Sequence, residues 1–330
     1  MLVCEFNPVF KSQFADKLQA FLRSKRAIGY RYESESHILS RIDKHLCEIN
    51  CTALTEDVIN ELTTKRIGES DKTHSSRVSI LKQFCLFLNR HGVVVALPQR
   101  TKNHGFSKTF TPYIFTRVQI QRILHSADTM PKSLQHPNSN HYKIMPIILR
   151  LLYCCGLRIN EALSLRVENI DLKRGIITIK HGKNDDCRNV PMSESLNQCF
   201  AEYLAQMYVV PKDNDFVFPT SKGELYCSGV IYSHFRELLW LSNIPHGGRG
   251  NGPRLHDIRH TFAVHSLQNL ILKGKDTYLL LPILSTYLGH KSIYATEKYL
   301  RLTSEMYPDI LEKVETALGK LVPEVVDYED

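Results

Sequence analysis

The sequence of 330 residues lacks the features that mark several whole classes of protein. No apolar run approaches the roughly 18 residues of a membrane span, since the greasiest stretch, IMPIILRLLYCCGL, carries Arg150 at its centre. No membrane partner is expected. A basic segment followed by an apolar one is missing at the start, so the nine cysteines are expected as free thiols in a reducing cytoplasm. Only Cys47 with Cys51 and Cys154 with Cys155 lie close along the chain, and a zinc site would want a second such pair. The glycine-rich HGGRGNGPR lacks the order of a phosphate-cradling G-x-x-x-x-G-K-[ST] loop. Neither a metal nor another cofactor is expected.

The most telling absence is of carboxylates. Between Asp71 and Asp128 there is none, while Lys72, Arg77, Lys82, Arg90, Arg100, Lys102, Lys108, Arg117 and Arg122 all fall inside. The chain as a whole carries a net charge of +8, most of it in the first 110 residues. Each phosphate neutralised by Lys or Arg releases condensed counterions, and a nearby carboxylate would oppose that gain. Nucleic acid is the natural partner, with Lys72, Arg77, Lys82, Arg100, Lys102 and Lys108 as candidate contacts.

What is present reads as two domains, as the length also suggests. Apolar residues recur at helical spacing through Phe14 to Leu22, Ile38 to Leu46, Val58 to Leu62 and Val78 to Leu88. Four helices are expected there, with Ser34, Thr55 and Ser70 or Asp71 as N-caps. The helical period fails after Asn89, and Pro98, Gly105 and Pro112 punctuate a basic linker. Boundaries of 1–95 for a helical DNA-binding domain, 96–112 for the linker and 113–330 for a second domain follow. Beyond the linker, helices are expected over TRVQIQRIL and Ile144 to Leu152. GIITIKHGKNDDCRNVPM reads as a hairpin with a polar tip, followed by a helix from Ser193 to Met207. FVFP reads as a short strand, Val230 to Leu241 as a helix, and three more helices begin near Leu255, Thr277 and Ser292. The fold class is mainly α with a small β-sheet, that is α+β.

Five elements of the second domain carry chemistry-bearing residues: GLRINEALSL with Arg158 and Glu161, the hairpin tip with Lys183, LHDIRHTF with His256 and Arg259, LGHKS with His290, and EKYL with Tyr299. Singly each has an ordinary explanation. Arg158 with Glu161 could be a surface ion pair, His256 and Arg259 helix decoration, His290 a turn residue, and Tyr299 one of 15 mostly packing tyrosines. Jointly they resemble the tyrosine recombinase (phage integrase) family, whose catalytic domain carries an Arg, a hairpin Lys, an H-x-x-R pair, a His or Trp and a nucleophilic Tyr in this chain order. Glu161 follows Arg158 by three and Tyr299 follows His290 by nine, as in integrases and Xer-type recombinases, and GKNDDCRNVP is similar to the family's Gly-Lys turn followed by Arg and Val-Pro. The ending LPILSTYLGHKSIYATEKYLRLT looks most like members carried by transposons and integrative elements.

The resemblance implies an integrase-type catalytic domain behind a core-binding domain, cutting and rejoining DNA in recombination, integration or transposition of a mobile element. Breaking a phosphodiester without metal needs a nucleophile, positive donors on the non-bridging oxygens and an acid for the leaving 5′ oxygen. Arg158 and Arg259 offer planar forks of donors that stay charged. The family implies Lys183 as the general acid and Tyr299 as the nucleophile of a 3′-phosphotyrosine intermediate that needs no ATP. His256 and His290 can each accept the tyrosine proton or donate to the phosphate, and Glu161 would orient the cations. Tyr294, five residues earlier on a helix, would point roughly 140° away from Tyr299.

The family further implies double-stranded DNA as substrate, a homotetramer on two DNA sites, and accessory DNA-bending proteins or partner recombinases. The segment Ile310 to Leu321 could dock on a neighbouring subunit or on its own chain. His256-Asp257 without further His and Asp ligands argues against a metal phosphohydrolase. A DNA-binding accessory protein on the same fold and a type IB topoisomerase remain alternatives.

Overall fold

The computed structural model describes residues 7–99, 111–132, 139–180, 187–248, 252–275 and 277–290, together with Ser292, Thr296, Tyr299, Leu302 and Thr303. The chain divides into two compact units, 1–109 and 110–330. No described helix is long and apolar enough to cross a membrane.

The first unit consists of α1 (Ala15–Ala27), α2 (Glu33–Glu48), α3 (Glu56–Thr63) and α4 (Asp71–Arg90), the four helices expected. Their apolar stripes meet in one core built around Leu18, Phe21, Leu22, Leu39, Ile42, Phe84 and Leu88. Thr55 and Ser70 cap α3 and α4 by accepting the backbone N–H of Val58 and Thr73. Ser34 does not cap α2. That helix starts earlier, after Tyr32 in the left-handed conformation at φ 54°, and Tyr32 packs edge-on against Phe21. Tertiary packing of the aromatic ring sets this boundary in place of a hydroxyl cap.

The second unit contains α5 (Arg117–Asp128), α6 (His141–Cys155), α7 (Ile159–Leu163), β1 (Ile170–Asp171), β2 (Ile176–Ile179), β3 (Arg188–Pro191), α8 (Glu194–Met207), α9 (Ser228–Leu241), α10 (Asp257–Leu272) and α11 (Thr277–Leu288). Thr116 starts α5 with a capping box in which Gln119 answers. The sheet is antiparallel in the order β1-β2-β3, with Ile177 opposite Val190 and Ile179 opposite Arg188. One large core joins Phe115, Ile144, Ile148, Leu152, Ile177, Val190, Phe200, Phe218 and Phe235, and a smaller one joins Ile114, Val264, Leu284, Leu288, Tyr299 and Leu302.

Two local expectations change. β1 pairs with β2 ahead of the hairpin and extends it to three strands; two residues are too short to show alternation. FVFP forms no strand: Phe216 and Pro219 make single bridges to Arg166 and Leu225, while Val217 and Phe218 fill the core. The hairpin turn with Lys183, the segment with Arg100, Lys102 and Lys108, Tyr294 and Ile310 to Leu321 all lie outside the described residues.

Candidate active site

The site gathers at the C-terminal end of α11. The last carbonyls of an α-helix have no intrahelical partner and carry partial negative charge, and here arginines from three other segments take them. Arg188 Nε donates to the Tyr287 carbonyl at 3.1 Å, Arg259 Nη2 to that of Leu288 at 2.6 Å, and Arg158 Nη2 to that of Gly289 at 3.2 Å. Arg259 Nη1 donates to the carbonyl of Gly156, the left-handed residue that ends α6, at 2.6 Å. Two helix C-termini thus hold one guanidinium.

Both glycines are required by this arrangement. Gly289 has φ +64°, and a Cβ there would come within 2.9 Å of Arg188 Nη1. Gly156 has φ +60°, and a Cβ would stand 2.4 Å from the Phe262 ring. The Leu-Gly-His and Cys-Gly-Leu-Arg sequences are read physically as turns that aim carbonyls at arginines.

Glu161 ties the arginines together. Its side chain is 3% exposed and bridges Arg158 Nη1 at 2.7 Å and Arg188 Nη2 at 2.7 Å, with Arg259 Nη1 3.9 Å away. It also accepts the backbone N–H of Arg158, closing the first turn of α7. Burial would push this carboxyl up, but hydrogen bonds from Arg188 and Arg158 outweigh it and hold the pKa down at about 2. Arg259, 2% exposed, is shifted the opposite way, to about 10, by burial and by the neighbouring Arg158. Three guanidiniums around one carboxylate leave a local excess of positive charge. An anion completes such a set.

Tyr299 lies 1% exposed beside this cluster in the smaller core. Its phenol is raised to about 12 by burial, against the opposing field of Arg259 and Arg158. The hydroxyl is 2.8 Å from Nδ1 of His260, and the ring of His290 stacks on the tyrosine ring at 6.2 Å and 20°. Nδ1 of His290 is 2.7 Å from the Thr296 hydroxyl. His256 precedes α10 and sets its ring edge-on to His260, 4.8 Å and 88° apart. Asp257, the first residue of α10, accepts the backbone N–H of Arg254 at 2.7 Å and so ties the preceding loop to the helix.

The residues named from the sequence, Arg158, Glu161, His256, Arg259, His290 and Tyr299, therefore come together, and Lys183 lies outside the described residues. Two neighbours were missed. Arg188 sits two residues from the buried Val190 and shares its inward strand face, a period-2 signal available in CRNVP. His260 follows Arg259 directly, and its spacing of four from His256 put both on one helix face.

One candidate DNA contact is corrected. Arg77 is 5% exposed and donates to both oxygens of Glu69, at 3.0 and 2.7 Å, and to the carbonyls of Leu62 and Thr64. The hydrogen bonds of Arg77 hold Glu69 down at about 2 against burial. Its guanidinium fastens α3 to α4 and is not available to a phosphate. Lys72 is exposed and Lys82 half-buried on α4.

A sequence model of the phage integrase family matches residues 114–306. A Sinorhizobium fredii protein named as an integrase/recombinase is 26% identical over 312 residues, covering 92% of this chain and 98% of the relative. The tyrosine recombinase XerD of Neisseria meningitidis serogroup A is 26% identical over 239 residues, covering 72% and 75%. Among solved structures, the XerH site-specific recombinase in a post-cleavage complex with a palindromic difH substrate aligns at a TM-score of 0.62 with 17% identity, covering 95% of this chain and 90% of that one. A lambda integrase dimer bound to a core site aligns at 0.60 with 14% identity, covering 86% and 94%. The last two likenesses are of fold.

Proposed function

Because this chain belongs to the phage integrase family and is a site-specific recombinase of the tyrosine type, we propose that it exchanges DNA strands through a covalent 3′-phosphotyrosine formed on Tyr299. Arg158 and Arg259 hold the two non-bridging oxygens of the scissile phosphate, and Arg188 with Glu161 keeps both forks in register. Lys183 gives a proton to the departing 5′ oxygen. His256 and His290 complete the donors and acceptors around the phosphorus. The phosphotyrosine stores the bond, so a 5′ hydroxyl from a second strand reseals it without ATP or metal.

The observation that carries this reading is the meeting of Arg158, Arg259 and Tyr299, drawn from three distant stretches of chain, around the end of α11. Because Tyr299 is 1% exposed, the residues over it must move when DNA engages the site. The substrate is double-stranded DNA, gripped through Lys72, Lys82, Arg100, Lys102 and Lys108. Four copies work on two sites, as the family resemblance implies, with accessory DNA-bending proteins or partner recombinases assisting.

A nicked suicide duplex from the native element tests this. The wild-type protein is expected to form a covalent DNA adduct resistant to denaturation, and Tyr299→Phe to form none while still shifting the duplex in a gel. Sequence-specific binding without any adduct would establish an accessory DNA-binding protein instead. Relaxation of supercoiled plasmid lacking a specific site would establish a type IB topoisomerase.

A further inference from the structure

Between the basic linker and α5 the chain runs along α10, and alternate residues of this stretch meet successive turns of the helix. Burial pushes the pKa of the Asp257 carboxyl up, and the backbone of Tyr113, facing it, offsets part of that push. The Phe115 N–H donates to the Thr261 hydroxyl at 3.0 Å, and the Phe115 backbone also faces the His265 ring. Nη2 of Arg117 donates to Oε1 of Gln268 at 3.0 Å and to Oδ1 of Asn269 at 2.7 Å. Asp257, Thr261, His265, Gln268 and Asn269 recur at helical spacing and form one stripe. An extended chain advances roughly 6.6 Å in two residues and a helix about 6 Å in four. Chain and helix therefore stay in step along this strap.

Within the strand-exchange reading above, on which this rests, we propose that Thr261 is a positioning residue of the reaction: its hydroxyl fastens the strap to the helix that carries Arg259, and so holds guanidinium and phenol in register. The hydroxyl is used twice. It accepts from Phe115 and donates to the Asp257 carbonyl one turn back at 2.8 Å. Bonding its own helix in that way is locally unfavourable for a threonine, and here the same oxygen has a tertiary partner. Both Thr261 and Phe115 are 0% exposed, so an N–H left without its acceptor would be costly.

The two sides of this bond reach the site from different directions. Arg259 lies two positions before Thr261 on α10 and holds the carbonyls of Gly156 and Leu288. Ile114, next to Phe115, packs in the smaller core with Tyr299 and Leu302. One hydrogen bond thus joins the helix of the phosphate clamp to a wall of the nucleophile's core. A residue that touches no reacting atom sets the rate through such placement, since a shift of about 1 Å can cost about a hundredfold.

The test uses the full chain and the nicked duplex. Adduct rates at saturating duplex, duplex affinity and urea midpoints are measured for wild type, Thr261→Val, Thr261→Ser and Tyr203→Phe. Valine keeps the branched shape and removes the hydroxyl, whereas serine keeps the hydroxyl. Tyr203→Phe is the structural control, because it removes a buried 2.8 Å hydrogen bond to the Val217 carbonyl in the larger core. Thr261→Val should slow the bound complex about tenfold with duplex affinity unchanged. Thr261→Ser should restore the rate, and Tyr203→Phe should lower the urea midpoint alone. A Thr261→Val rate within about twofold of wild type or above it, an equal slowing in Tyr203→Phe, or no recovery in Thr261→Ser overturns the assignment. If Thr261→Val does not fold, Gln268→Ala combined with Asn269→Ala decides. That variant releases Arg117 from the solvent side with its charge kept, and should slow the bound complex about threefold; a wild-type rate there overturns the assignment. Absence of any wild-type adduct would instead sink the strand-exchange reading itself.

Discussion

Each unit of the molecule buries an arginine against a glutamate, and the two pairs serve different ends. In the first unit Arg77 spends its guanidinium on Glu69 and two carbonyls, and the cluster is closed. In the second, Glu161 is shared between Arg158 and Arg188 with Arg259 close by, so the positive charge outweighs the negative, and the Arg158 side chain is 27% exposed. Both carboxyls are held near 2. A depressed carboxyl alone therefore does not mark an active site; the surplus of guanidinium over carboxylate does.

The sharpest way to break this contrast is Arg259→Lys. A lysine keeps a charge but loses the fork that spans two helix ends and, in the proposed reaction, holds a phosphate, and removing one such donor should slow adduct formation about 10²- to 10³-fold. A loss under tenfold, measured at saturating protein on the nicked duplex, would make Arg259 a structural fastener like Arg77.

The next effect compares the glutamates. Glu69→Gln and Glu161→Gln each leave buried arginine without its counter-charge, at a cost of about 3 kcal/mol, visible as a lower midpoint in urea unfolding. Only Glu161→Gln should also slow the adduct rate of bound complexes, because Arg158 and Arg188 lose their common anchor. Equal adduct rates in the two variants would erase the distinction.

The smallest effect is set by pH. Both carboxyls titrate near 2 in the folded chain and near 4.3 when unfolded. Their stabilisation is fully present above about 4.3 and is lost as pH falls toward 2, with a slope of up to about 1.4 kcal/mol per pH unit for each group. Urea midpoints at pH 5, 4 and 3 should fall less steeply in Glu69→Gln than in wild type. An unchanged slope would mean that Glu69 is not charged against Arg77.

Much of this was legible in the order of residues, for reasons that differ by element. Amphipathic helices announce themselves because 3.6-residue spacing is a local property, and α1 to α4 fall where that spacing put them. The motifs carried Arg158, Glu161, Arg259, His290 and Tyr299 to one place by resemblance. Arg77 misled, because its position in a run without carboxylates says nothing of Glu69 eight residues upstream, across a turn. Ser34 misled because an aromatic contact at Tyr32 outbid a local cap. FVFP has strand composition, but among the described residues it pairs only through single bridges at Phe216 and Pro219.

Chain order was enough to settle the helical character, the hairpin, the basic bias of the first hundred residues and the identity of the chemical groups, since these depend on residue type and on neighbours a few positions away. Which arginines meet the three carbonyls ending α11, which carboxylate they share, and which histidine reaches the phenol emerged only on folding. Those pairings join segments far apart along the chain, two of them more than a hundred residues, from Gly156 to Arg259 and from Arg158 to Gly289. No local signal encodes such distances; the packing of α6, α10 and α11 into two adjoining cores does.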